Sequence, residues 1–219
     1  MQFAHDYYDY APSIIQNGNT LQYWWCGYGP GQDGTMTDVI WYRTYDTGSN
    51  VWGDIHKVFT PTPGSSWDAR YVCDPSVVKG SFHRPGDPAT YSYAMYYGGA
   101  NQDADTQIGV SYSNDGVNWT RYDRALIAAQ VHPTTYYGAG QPSMHNIDGG
   151  SRVRMFYYDN STSTYGPRLW TRTALDGITF DEPVLLTNAG LPHASVSFFD
   201  VATDRVTVRE AQRAKPPGC

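Results

Sequence analysis

Three stretches of this chain begin with the same small frame, a proline, a serine and then apolar residues, and each unfolds into the same succession of patterns. APSII from Ala11 leads to LQYWWCGY, VIWYRTY and DTGSNVW; DPSVV from Asp74 leads to YSYAMYYGG, IGVSYS and NDGVNW; QPSMH from Gln141 leads to RVRMFYYD, RLWTRT and LDGITF. Pro12, Pro75 and Pro142 stand 63 and 67 residues apart by their numbers. A weaker fourth unit opens at LPHASVSFFD, with Pro192, and runs into DRVTVREA. A repeat of this length carrying about four short strands is the content of one propeller blade, a sheet that must stack on its neighbours to bury both faces.

The local chemistry agrees. Alternation in YSYAMYY puts Tyr91, Tyr93, Met95 and Tyr97 on one face and Ser92, Ala94 and Tyr96 on the other, which is strand periodicity. Asn114-Asp115-Gly116 and Asp176-Gly177 supply residues that tolerate a left-handed backbone, as turns between third and fourth strands require. No window reads as a helix. The expectation is an all-β chain with one propeller domain over residues 1–210, in units of about 11–73, 74–140, 141–190 and 191–210, and a tail over 211–219. About four blades are visible. The first ten residues, MQFAHDYYDY, are expected to add an outer or closing strand.

Charge and composition narrow the partners. The chain has 15 Lys and Arg against 21 Asp and Glu, a formal charge of -6, and 19 Tyr and 7 Trp. No basic run offers a footprint for nucleic acid, and no apolar stretch reaches membrane-spanning length. Residues 1–15 lack the charged start and apolar core of a secretory signal. Cys26, Cys73 and Cys219 are too few for a disulfide scaffold and lack metal-ligand spacing; Cys26 and Cys73 are expected as buried, inert thiols, with a Cys26–Cys73 bridge as the alternative. GxxxxGK, HExxH and GxSxG are all missing.

APSII with WWCG, CDPSVVKG with YAMYYGG and IGVSYSNDGVNW, and YGAGQPSMH with MFYYD together resemble the five-bladed propeller of glycoside hydrolases related to family 43 and its clan, especially bacterial proteins labelled beta-xylosidase-like. The resemblance covers roughly residues 5–200, and it implies a chain truncated from, or completing, a five-bladed ring. It also implies two aspartates and a glutamate presented by the inner strands of the first three blades into a central cup. Glycoside cleavage needs a proton donor at the leaving oxygen and a carboxylate that attacks or activates water.

Carried over by position, the three sites fall on Ala11, Asp74 and Gln141, so only the middle one keeps a charge. A glutamine donates and accepts hydrogen bonds but does not titrate. The only glutamates, Glu182 and Glu210, begin no inner strand. Asp74 is therefore the leading catalytic candidate, with Asp9 and Asp6 to supply a second carboxylate and Asp159 as a more distant option. For sugar contacts the candidates are Gln141 and His145, four residues apart and on one face of a regular strand, together with His5, His193, the adjacent Trp24 and Trp25, and the pair Tyr136 and Tyr137. Aromatic faces stack on sugar C–H surfaces while nearby polar groups take the hydroxyls. No metal-ligand set is legible, and no cofactor is expected beyond a structural ion or water at the centre. The expected partner is an oligosaccharide or polysaccharide met in the periplasm or outside the cell. Hydrolysis and non-catalytic binding both fit the sequence.

Overall fold

The computed structural model describes residues 8–64, 67–101, 106–128, 138–159, 168–187, 195–200 and 205–209, the last two segments by backbone alone. The described residues form strands joined by turns and bends. β1 (Asp9–Asn17), β2 (Thr20–Pro30), β3 (Met36–Asp46), β4 (Val51–Trp52) and β5 (His56–Phe59) make the first sheet, in which β4 and β5 both pair with β3. The second runs in sequence order through β6 (Tyr71–His83), β7 (Thr90–Ala100), β8 (Gln107–Ser113) and β9 (Thr120–Arg121). The third does the same with β10 (Ala139–Asn146), β11 (Val153–Asp159), β12 (Arg168–Ala174) and β13 (Val184–Thr187). β14 (Ser195–Asp200) and β15 (Arg205–Arg209) form a two-stranded sheet. Every named pairing is antiparallel.

The sheets stack as blades of a partial propeller. The first strands β1, β6, β10 and β14 are successive neighbours, so each unit begins at the inside. Asp9 and Tyr10 belong to β1 itself; they start the inner strand of the first blade, which corrects the expectation of an outer or closing strand there. Two cores explain why both faces of YSYAMYY are apolar. Tyr93, Met95 and Tyr97 pack towards the first blade with Trp24, Ile40, Tyr42 and Trp67, while Ala94 and Tyr96 pack towards the third with Met144, Val153, Met155 and Tyr157. Tyr91 departs from the expected alternation and packs with Tyr112 on the Tyr96 side, ring centroids 5.6 Å apart. The register of β6 shifts between Lys79 and Phe82, opposite this end of β7, and such a bulge increases local twist.

Two hydrogen-bond devices repeat between blades. Ser13 Oγ accepts from the Val77 backbone N–H at 2.9 Å, and Ser76 Oγ accepts from the Met144 N–H at 2.9 Å. Trp24 and Tyr96, the cross-strand partners of those serines, each reach the next blade: Trp24 Nε1 donates to Gly116 O and the Tyr96 hydroxyl to Gly177 O, both at 2.7 Å. The two receiving glycines have φ of 78° and 81°, where L residues are strained, and a Cβ on Gly116 would stand 2.7 Å from the Trp24 ring. Ahead of them Asp115 and Asp176 accept backbone N–H groups two and three residues on. Asp46 does the same in the first blade.

Cys26 and Cys73 form a disulfide, Cα to Cα 5.0 Å. This overturns the expectation of two inert thiols. Both are buried, but β2 and β6 bring them together across the first two blades. The linker between these blades is pinned by an ion pair between the buried Asp68 and the half-buried Arg121. The Tyr97 hydroxyl donates to Asp68 Oδ2 at 3.0 Å, and the Arg121 guanidinium lies 3.7 Å from the Phe59 ring centroid.

Candidate active site

The repeated X-Pro-Ser frame is a β-bulge in all three inner strands. Register shifts fall between Tyr10 and Ser13, Cys73 and Ser76, and Gly140 and Ser143. Proline is tolerated because its missing N–H falls where the ladder is interrupted, and in the first two frames the serine hydroxyl joins one blade to the next. The residue before proline is held left-handed in each case: φ is 49° at Ala11, 50° at Asp74 and 52° at Gln141. For an L residue this costs roughly 1–2 kcal/mol. Backbone strain of this kind collects at functional sites.

Asp74 is 6% exposed. Its Oδ1 lies 3.7 Å from Cys73 Sγ, and its Oδ2 is 3.7 Å from where a Cβ on Gly98 would stand. A second carboxylate, Asp38 on β3, comes close to the same sulfur: an Asp38 oxygen, Cys26 Sγ and Cys73 Sγ all lie within 4.8 Å of one another. The two carboxylates are thus no farther apart than the sum of those distances, which stays below the widest spacing of glycosidase acid pairs, roughly 10 Å. The Tyr10 hydroxyl sits 2.8 Å from Cys73 Sγ and donates to Asp38 Oδ2 at 3.2 Å, while the Tyr8 hydroxyl donates to Asp38 Oδ1. Burial of the hydroxyl, then the charges of Asp74 and Asp38, push Tyr10 far above the ordinary phenol range. It is a neutral donor.

Cys26, Asp38 and Cys73 form a cluster that could hold a structural ion. Thiolates, rather than disulfide sulfurs, are the strong ligands, so in the bridged form Asp38 contributes the charge. Asp9 points elsewhere, accepting the Trp25 indole N–H at 2.6 Å. Trp24 and Trp25 do lie on opposite faces, but both are at most 1% exposed; Trp24 is engaged between blades, and neither indole lies at a rim. Gln141 is half-buried on its bulge, so the strand is not regular between Gln141 and His145. His145 packs edge-on to Phe156, ring centroids 5.7 Å apart, and burial lowers its pKa below the usual 6.5. It borders a groove of about 310 Å³ with Ile15, Val77, Lys79 and Met144. Asp159 is buried at the end of β11, opposite Ala139. Asp6, His5, His193, Tyr136 and Tyr137 lie outside the described residues.

Asp38, Tyr8 and Tyr10 were missed. One signal was available: Asp38 in MTDVIWY sets a charge directly before two apolar strand residues. A cavity of about 300 Å³ beside Trp67, Asp68 and Arg121 is distinct from this cluster, and its charged groups are already paired, Asp68 with Arg121 and Asp123 with Arg84.

The fold is shared with solved structures. A family 117 glycoside hydrolase produced by the marine bacterium Zobellia galactanivorans superposes with a TM-score of 0.59 at 15% identity, over 82% of this chain and 56% of its own. The family 93 alpha-L-arabinofuranosidase of Fusarium graminearum, solved with arabinobiose, gives 0.58 at 17%, over 88% and 53%. A structure from the family 130 mannoside phosphorylases, described as containing glycoside hydrolases that target beta-1,2 mannosidic linkages in Candida mannan, gives 0.53 at 15%, over 83% and 50%. The fold is a partial β-propeller similar to that of these hydrolases.

At these identities the likeness is one of fold. This propeller chain spans about half the length of the structures it matches. No protein-family profile matches it, and no curated protein matches it by sequence. The structural likeness extends across several hydrolase families and does not single out the family 43 or xylosidase type.

Proposed function

We propose that this propeller is a glycoside hydrolase-like protein that cleaves a pentose- or hexose-containing glycan at the Asp74–Asp38 pair. The observation that carries the reading is the approach of two carboxylates to one disulfide sulfur, with Asp74 held on a strained inner-strand bulge. One carboxyl group serves as proton donor and the other activates water or attacks the anomeric carbon, the division of labour that glycoside cleavage requires. An extracellular or periplasmic setting suits both such a substrate and the Cys26–Cys73 bridge, since oxidising compartments preserve disulfides.

A second reading, glycan binding without cleavage, is favoured by the neutral Ala11 and Gln141 at the positions equivalent to Asp74. The test is incubation with beta-xylosides, alpha-arabinosides and mannosides, followed by detection of released sugar. Product that disappears in both Asp74→Asn and Asp38→Asn, with near-ultraviolet circular dichroism retained, supports hydrolysis. Binding by calorimetry with no product from the folded protein supports the second reading. Neither product nor binding sinks both.

A further inference from the structure

Beside the two carboxylates stand aromatic rings that a packed fold does not need to leave open. Tyr8 and Tyr10 are 43% and 41% exposed, whereas every other large aromatic with a described side chain is buried or half-buried. Their centroids lie 5.6 Å apart with planes at 45°, and Tyr28 lies 5.9 Å from Tyr8 at the same tilt. The hydroxyls of Tyr8 and Tyr10 are anchored on Asp38. With their polar tips held on Asp38, the rings keep their place beside the carboxylates, and a tilted pair forms a cradle rather than a flat shelf.

We propose that Tyr8 and Tyr10, with Tyr28 behind them, form a sugar subsite that holds one ring of an oligosaccharide next to Asp74 and Asp38. The inference rests on the glycan reading above and adds where a sugar ring sits. C–H faces of a sugar match exposed aromatic faces, and its hydroxyls find acceptors in carboxylates a few ångströms away. Burial and neighbouring negative charge keep both phenols protonated, so the cradle stays uncharged against an uncharged ligand. Immobilised rings lose little freedom on binding.

The test is calorimetric titration of the whole chain with linear xylo-, arabino- and manno-oligosaccharides, comparing wild type with Tyr8→Ala, Tyr10→Ala, Tyr8→Phe and Tyr10→Phe. Loss of a ring face is expected to weaken binding about tenfold, and the phenylalanine variants are expected to stay within about threefold of wild type because the face remains. Nitration of wild-type tyrosines, mapped by mass spectrometry with and without the same sugars, needs no variant to fold; bound sugar is expected to protect Tyr8 and Tyr10. Binding that is unchanged in both alanine variants, or sugar that leaves both tyrosines equally reactive, overturns the subsite while the glycan reading stands. If wild type binds none of the sugars and shows no protection, both readings fail.

Discussion

Ala11, Asp74 and Gln141 share a backbone shape and differ in chemistry, so the strain at this position belongs to the propeller bulge and the side chain belongs to the site. Ala11 carries the strain without a polar group to show for it. Ala11→Gly is therefore expected to raise stability by about 0.5–1 kcal/mol, the left-handed penalty less the added entropy of the unfolded glycine, as read from urea denaturation. Asp115 offers a pH-dependent counterpart. Burial raises its pKa, but the backbone and side-chain amides of Asn118, the Val117 N–H and the Ser113 hydroxyl outweigh that and bring it to about 2 from 3.8. A carboxylate depressed in the folded state stabilises above its unfolded pKa and loses that contribution as pH falls through the folded one. Wild type should lose stability more steeply than Asp115→Ala between about pH 4 and pH 2, where this group titrates; parallel profiles from acid melting curves would refute the assignment.

At the level of strands, Ser13 and Ser76 and the aromatic residues opposite them, Trp24 and Tyr96, join successive blades through single hydrogen bonds. Ser76→Ala leaves the Met144 N–H without its acceptor in a half-buried setting, and a loss of about 1–3 kcal/mol is expected. Tyr96→Phe removes only the bond to Gly177 O, with an expected loss of about 1 kcal/mol. The third blade already carries Phe156 where the first two have Trp24 and Tyr96, so the aromatic link is dispensable in a way the proline-serine bulge is not. Thermal melts of the two variants should rank Ser76→Ala below Tyr96→Phe. The reverse order would mean that the aromatic contact dominates the coupling between blades.

Across the whole molecule, the Cys26–Cys73 disulfide closes a separation of 47 residues and ties the first blade to the second beside the candidate site. Loop-closure entropy gives about 4 kcal/mol for a loop of this size, so Cys73→Ala should lower stability by about 2–4 kcal/mol and loosen the Asp38–Asp74 spacing with it. A denaturation midpoint unchanged by that substitution would assign the bridge no structural role. The repeats, their strands and Asp-Gly turns, and the three equivalent positions at Ala11, Asp74 and Gln141 were legible in the sequence, because periodicity and turn chemistry are local properties written along the chain. The sequence also carried the resemblance to propeller glycoside hydrolases. The packing of blades sets the rest: Cys26 meets Cys73, Asp38 and Asp74 approach the same sulfur while Asp9 takes the Trp25 indole, and the adjacent Trp24 and Trp25 are both buried while Tyr8 and Tyr10 stay open. Those outcomes depend on which blades touch and which strand ends converge, and contacts between residues tens of positions apart leave no periodic trace.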